Sequence, residues 1–412
     1  MKKMKKIMQL CLAVMTVITV VSVAKIDTKA ATQITGFKQV KGYSNAVELD
    51  WDTYNLPAEG YSVVSYRTWG SSEAWKTVTS EYFRDLAPGT SYEMKLAIYS
   101  DYEHTNLVAE TPNSIEVVTA PGTYTAFAVN QTGATATSAT IAWNQYPGAN
   151  CFQVEYTNNN QVQYVDGNQV TMTNLAANKN AYISVSPCRK SSAGYIATST
   201  SNYKSVSAIV VPATPGIKGT DLDIKNKALT LYTLDKSGYY ADGYEYDIYK
   251  VKGNKRVALV KPNSSSSICD VKNKAFGSRE LFKVKVRAYK KAANGTKYYT
   301  PWSSMNYFST DKILKSVKNK GSKGIEVKWN KVNGASGYKV YAATKNDPKK
   351  YKVVATIKKG TTTSTTFKKF NKKALKKGQR YYIFVEPYYK SGKKTIDVVN
   401  GYYRYTSIVY KK

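Results

Sequence analysis

Histidine is almost missing from this chain: 412 residues contain one, His104, beside only 4 cysteines. That scarcity leaves no imidazole or thiolate set for a metal centre, and no Ser–His or Cys–His pairing around which a triad could be built. No phosphate-cradling glycine loop and no HExxH occurs either. The acids of Glu48-Leu-Asp-Trp-Asp52 alternate along one strand, which suits a solvated face. A glycosidase pair needs two carboxyls across a cleft. These gaps argue against an enzyme, and the residues point to no cofactor. Cysteine is too scarce for a disulfide-built scaffold, so large apolar cores must hold the protein together. Arg-Gly-Asp, an LPxTG-like sorting signal and a C-terminal apolar tail are also missing.

Long hydrophobic runs are equally scarce. The single one, Ile7 to Val23, follows the basic start Met1-Lys-Lys-Met-Lys-Lys6, and Thr28-Lys29-Ala30 then supplies small residues at a cleavage position. The pattern predicts an export signal over 1–30, cut between Ala30 and Ala31. An uncleaved membrane anchor is the competing reading. Cys11 lies inside this run without a lipobox, leaving Cys151, Cys188 and Cys269 in the mature chain. With the signal removed, no integral membrane contact is expected.

What is abundant is tyrosine, 36 residues against 6 Trp and 10 Phe, in a chain 42% hydrophobic. Tyrosine favours pleated, half-buried surfaces. It also recurs in a pattern. "VELDW" (47–51) leads to "GYSVVSY" (60–66), "TIAW" (140–143) to "ANCFQVEY" (149–156), and "IEVKW" (325–329) to "SGYKVYAA" (336–343). A weaker copy, "LTLYTL" then "GYEYDIY" (243–249), places Leu231 near the Trp position. Tyr61, Phe152, Tyr244 and Tyr338 are 91, 92 and 94 residues apart. A second landmark follows each copy: "LAPGTSYEMKLAIY", "LAANKNAYISVSPC", "FGSRELFKVKVRAY" and "LKKGQRYYIFVEPY" each run from a turn into an alternating strand. No segment carries a convincing helical period, although Asn371 to Lys377 has room for one turn.

Repeats of this length, with a Trp strand and a Tyr strand, point to antiparallel β-sandwiches. A Trp on strand B, Gly-Tyr-x-Val on strand C, and Leu-x-Pro-Gly-Thr-x-Tyr entering strand F resemble the fibronectin type III domain. "VKWNKVNGASGYKVYAAT" is similar to the tandem domains on secreted surface proteins of Gram-positive bacteria. The resemblance implies an all-β chain of four tandem Ig-like (fibronectin type III-like) antiparallel β-sandwiches in an elongated array. Their expected spans are 33–120, 121–213, 214–311 and 312–412, with junctions at "TAPGT", "VPATPG" and "STDKIL". It also implies that Tyr92 and Tyr381 tie their hydroxyls back to the preceding turn. Phe282 and Ala181 stand at the same position without a hydroxyl.

Charge of one sign is short as well: 28 Asp and Glu face 61 Lys and Arg, a formal net of +33. The excess is graded along the chain. The first domain holds 6 basic and 12 acidic residues, the second 4 and 2, the third 18 and 9, and the fourth 27 and 4. A field of that strength draws polyanions and is sensitive to salt. For an exported protein the expected partner is an anionic cell-wall polymer or polysaccharide. The acidic first domain would face a protein partner, and nucleic acid is not expected.

Strand alternation sorts the aromatics of the fourth domain. Tyr381, Ile383, Val385 and Pro387 should point inward with Tyr338 and Val340. Tyr382, Phe384, Glu386 and Tyr388 should point outward with Lys339 and Tyr341. Tyr341, Tyr382, Phe384 and Tyr388 could then form a stacking face for sugar rings, or else cover one another. The loop beyond adds Lys390, Lys393 and Lys394. In the second domain Cys151 opens strand C and Cys188 closes strand F, so the two ends lie close; they are bridged or both free. The reading that follows is an exported, non-catalytic surface or adhesion protein, secreted or held noncovalently on the wall by its basic C-terminal domain. The alternatives are a carbohydrate-binding protein using exposed aromatics, or a passive spacer or assembly subunit.

Overall fold

In the computed structural model the chain is built of strands and turns. The structure describes residues 32–411 apart from 54–55, 57–59, 80–83, 157–159, 263–264, 311 and 400–404. The export signal expected over 1–30 lies outside the described residues. Among those described, the helical segments are four short 3-10 turns, at Lys252–Asn254, Lys274–Gly277, Gly321–Lys323 and Pro348–Lys350.

The repeats become pairs of sheets. In the second, Val129–Ala134, Ala139–Trp143 and Gln169–Met172 form a three-stranded sheet. The facing sheet centres on Cys151–Tyr156 and Ala181–Lys190 and also takes in Gln161–Val165, Ile196–Thr198 and Lys204–Ala208. The third repeats this arrangement around Gly243–Lys250 and Phe282–Lys291, and the fourth around Gly337–Ala343 and Arg380–Ser391. In the first, Tyr61–Thr68 and Ser91–Tyr99 are the central pair, opposite the two strands Lys38–Gly42 and Val47–Asp50. A three-stranded sheet facing a larger one with this strand order is the immunoglobulin-like sandwich of fibronectin type III domains.

Alternation explains why these segments are strands. Phe282, Val284, Val286 and Ala288 are buried, and the residues between them are Lys283, Lys285 and Arg287. In the fourth sandwich Ile325, Val327 and Trp329 meet Tyr338 and Val340 from the neighbouring sheet, together with Tyr381, Ile383 and Val385. Each such side chain contributes about 1.5–3 kcal/mol on full burial. Leu231 takes the Trp position of the third repeat and is fully buried, so a smaller apolar residue fills that site.

One turn differs from expectation. Asn371 and Lys372 both have positive φ (49° and 64°), and Lys369–Phe370 pairs with Lys373–Ala374. Two consecutive left-handed residues make a tight hairpin that fits strand twist, not a helical turn.

The described residues divide into two compact units: those within 32–134, 138–175 and 180–208 form one, and those within 135–137, 176–179 and 209–411 the other. Inside the first unit, the Arg189 guanidinium donates to Ser91 Oγ at 3.1 Å and the Ser192 amide to Glu116 at 2.6 Å. Gly89 and Gly148, both at positive φ, bring their backbones so close that a Cβ on either would strike the other. Inside the second unit, Leu281 and Tyr307 sit in the core of the fourth sandwich. Tyr307 stacks on Tyr389 at 4.8 Å, and its carbonyl accepts the Val399 amide at 2.7 Å. Within each unit, then, adjacent sandwiches share buried surface instead of hanging on a free linker.

Candidate polyanion-binding surface

The strand Arg380–Ser391 carries the aromatics expected to face solvent. Tyr381, Ile383 and Val385 are buried in the core, as the alternation predicts. The other face is a correction: Phe384 and Tyr388 are only 4% and 5% exposed. Across the register Tyr341 stands opposite Phe384, and their rings stack at 4.6 Å and 12°. Tyr351 closes the edge of Phe384 at 4.8 Å, and Tyr382 packs edge-on to Tyr405 at 5.4 Å. Burial, helped by the neighbouring Tyr405 and Tyr382, pushes the Tyr351 hydroxyl up to about 12. Tyr388 lies over Gly337, where any Cβ would collide with its ring, and donates to the Ile357 carbonyl at 3.2 Å. Tyr341 and Tyr382 keep partial exposure, but the four rings do not make an open sugar platform. The fit of Tyr388 recurs one sandwich earlier, where a Cβ on Gly243 would collide with the Tyr289 ring. In these two sandwiches glycine precedes the core tyrosine because an outer tyrosine covers it.

Lys390, Lys393 and Lys394 are exposed, at the Ser391–Lys394 turn. A denser group stands at the opposite end of the same strand. The hairpin after Ser364–Phe367 presents Lys368, Lys369, Lys372, Lys373, Lys376 and Lys377, all exposed. Its apolar residues anchor it. Phe367 and Leu375 are buried, and Phe370 packs edge-on to Tyr381 at 5.8 Å. The Lys376 amide donates to the Tyr381 hydroxyl at 3.1 Å, and the Leu375 amide to the Lys368 carbonyl at 3.1 Å. Among the described residues, the ion pairs of this sandwich involve Lys312, Lys320, Lys328 and Lys339, and none of the six hairpin lysines. Six ammonium groups on a pinned hairpin make a concentrated positive field. Counting charge by domain concealed it, because the count spreads these lysines over a hundred residues.

The third sandwich is a contrast. Glu245 and Asp247 are buried under Arg287 (2.6 Å) and Arg256 (2.9 Å), with Lys285 at 3.6 Å from Asp247. Trp302 lies over Lys285 and Arg287 at 4.7 and 4.6 Å. On this face Arg256, Lys285 and Arg287 are spent on carboxylates and rings.

Cys151 and Cys188 are Cα partners across the central strands of the second sandwich, and both are buried free thiols. The register places them face to face as expected, without the bridge. The adjoining Cys188 thiol, together with burial, raises the Cys151 thiol. Cys188 Sγ itself lies 3.4 Å from the Ser186 carbonyl and from Thr198 Oγ1. Cys269 is buried alone. His104 sits on the loop after Ser91–Tyr99, among Tyr61, Tyr99 and Tyr102. Among the described residues no group of His, Cys, Asp and Glu could hold a metal ion.

No family model and no curated protein matches the chain. Among solved structures it is similar to the FN1–FN3 domains of chicken CNTN1, at 15% identity, covering 69% of this chain and 98% of that one. The TM-score is 0.24, so the fold rests on the strand order above and not on that likeness. That order makes the chain one of tandem immunoglobulin-like sandwiches of the fibronectin type III kind.

Proposed function

We propose that the chain is an exported, non-catalytic adhesion protein of four modules, with the boundaries read from the sequence, that docks on an anionic polymer through its fourth sandwich. One observation carries the reading: six exposed lysines stand within ten residues of hairpin, without an ion-pair partner among the described residues. A polymer with regularly spaced phosphates or carboxylates matches such a row, because each contact releases counterions and many weak contacts add. Phosphodiester wall polymers and acidic polysaccharides share that chemistry. The self-covered aromatic face of Tyr341, Tyr382, Phe384 and Tyr388 favours this over sugar stacking.

The test uses the intact chain and immobilised poly(glycerol phosphate), with neutral dextran as control. Because Leu281 and Tyr307 belong to the core of the fourth sandwich, substitution is preferable to truncation. Replacing Lys368, Lys369, Lys372, Lys373, Lys376 and Lys377 by Gln should remove most retention at low salt. Raising salt to about 0.5 M should release the native chain as screening shortens to a few Å. Equal retention of the two proteins, or retention on dextran, would sink the proposal.

A further inference from the structure

The first sandwich carries an unusual pole. Tyr61, at the start of its strand, stands opposite Tyr99, which stands opposite Leu107 on the next strand. Tyr61 is 46% exposed, Leu107 40%, and Tyr102 on the loop above 73%. The rings hold one another: Tyr61 meets Tyr102 edge-on at 5.8 Å, and His104 packs against Tyr99 at 5.4 Å. The loop is fixed from below, since Asp101 accepts from the Thr105 and Asn106 amides at 2.8 and 2.6 Å. Those bonds hold the Asp101 carboxyl below its usual range, against a smaller opposing effect of burial. Glu103, next to Tyr102 in the loop, and Glu110, the last residue of the strand Leu107–Glu110, are both exposed. The result is a rigid aromatic surface with an acidic margin.

Such a surface suits a lysine-rich hairpin. Lysine stems cover exposed rings, their ammonium groups sit over ring faces, and carboxylates at the margin add charge complementarity. The protein itself uses this pairing: Lys95 lies over Trp75 at 4.7 Å, and Lys285 over Trp302 at 4.7 Å. We propose that the Tyr61–Tyr102 pole of one copy docks the Lys368–Lys377 hairpin of a second copy. The occupant is argued from charge and ring chemistry, the acidic module matching the basic one. Because the two patches differ, each docked copy leaves one of each unused, and growth need not stop at two. The inference rests on the same hairpin as the polymer-docking proposal, so soluble polyanion should compete with self-association.

The experiment is analytical ultracentrifugation of the full chain from micromolar to sub-millimolar concentration. Self-association is expected at about 0.05 M salt and lost near about 0.5 M. Carbodiimide cross-linking of mixed light and heavy isotope copies then reads the contact. Cross-links between Glu103 or Glu110 and lysines 368–377, joining light to heavy peptides, are expected. A Tyr102→Ala, Glu103→Gln, Glu110→Gln variant should stay monomeric yet still be retained on poly(glycerol phosphate). A native chain that is monomeric throughout, a variant that associates as the native chain does, or cross-links only between peptides of one isotope would overturn the proposal. Loss of polymer retention with self-association intact in the six-lysine variant would instead sink the docking surface assigned here while leaving polymer binding standing.

Discussion

The backbone amide of Ala87 donates a 2.7 Å hydrogen bond to the hydroxyl of Tyr92, pinning the turn that enters the strand Ser91–Tyr99. Tyr381 accepts from Lys376 in the same way at 3.1 Å. A buried bond of this kind contributes about 1 kcal/mol net. Tyr92→Phe keeps the ring and removes the acceptor, leaving the Ala87 amide without its partner. The expected result is a loss of about 1 kcal/mol in denaturant unfolding of the first sandwich, with an unchanged slope. Amide exchange at Ala87 should quicken at the same time. Unchanged stability and unchanged exchange would show that the turn holds without its tie.

Glu245 and Arg287 make a different kind of pair, because the carboxylate is 1% exposed while its partner lies under Trp302 and Tyr299. Arg287→Leu leaves the buried carboxylate only Lys261 at 3.9 Å and the Tyr299 hydroxyl at 3.2 Å, and a loss at the lower end of about 3–5 kcal/mol is expected. The double variant Glu245→Leu, Arg287→Leu should recover most of that loss, because it removes both desolvation terms. Thermal unfolding of the two variants decides between them. A double variant as unstable as the single one would mean that the pair does more than neutralise itself.

Much of this fold was legible in the sequence because its signals are periodic and local. Tyr61, Phe152, Tyr244 and Tyr338 recur at near-constant spacing, and each lies on the central strand of its sandwich. The hydroxyl ties of Tyr92 and Tyr381 were implied by the resemblance to the fibronectin type III domain, and both bonds are present. What stayed hidden depends on neighbours distant along the chain. Alternation places Phe384 and Tyr388 on the outer face, but it cannot say that Tyr341, Tyr351 and the bare backbone of Gly337 receive them. Likewise Leu281 and Tyr307 read as third-domain residues, yet they pack into the fourth core. The lysine hairpin needed Asn371 and Lys372 in left-handed conformation, a choice glycine usually signals and here does not.

The facing thiols of Cys151 and Cys188 give a counting test. Both are buried with Cys269, so a thiol reagent should leave all three nearly unreacted in the native protein. In guanidinium under nonreducing conditions all three should react, and peptide mapping should assign a label to each. A map in which only Cys269 is labelled, with the other two appearing after reduction, would establish the bridge that the register permits.

The shared core of the last two sandwiches makes a prediction about truncation. A chain ending before Lys312 would uncover Leu281 and Tyr307, and would remove Val399, which packs against the third core and whose carbonyl accepts the Thr220 hydroxyl at 2.7 Å. Those groups would then face water, which costs roughly 25 cal/mol for each Å² of apolar surface uncovered. The truncated chain should therefore bind a hydrophobic dye, and its third sandwich should melt at a lower temperature than in the full chain. Leu281→Ala in the intact protein is the matched control. It should destabilise the fourth sandwich by about 2–5 kcal/mol without exposing the whole face. If truncation neither binds dye nor lowers melting, the two sandwiches are independent despite their shared core.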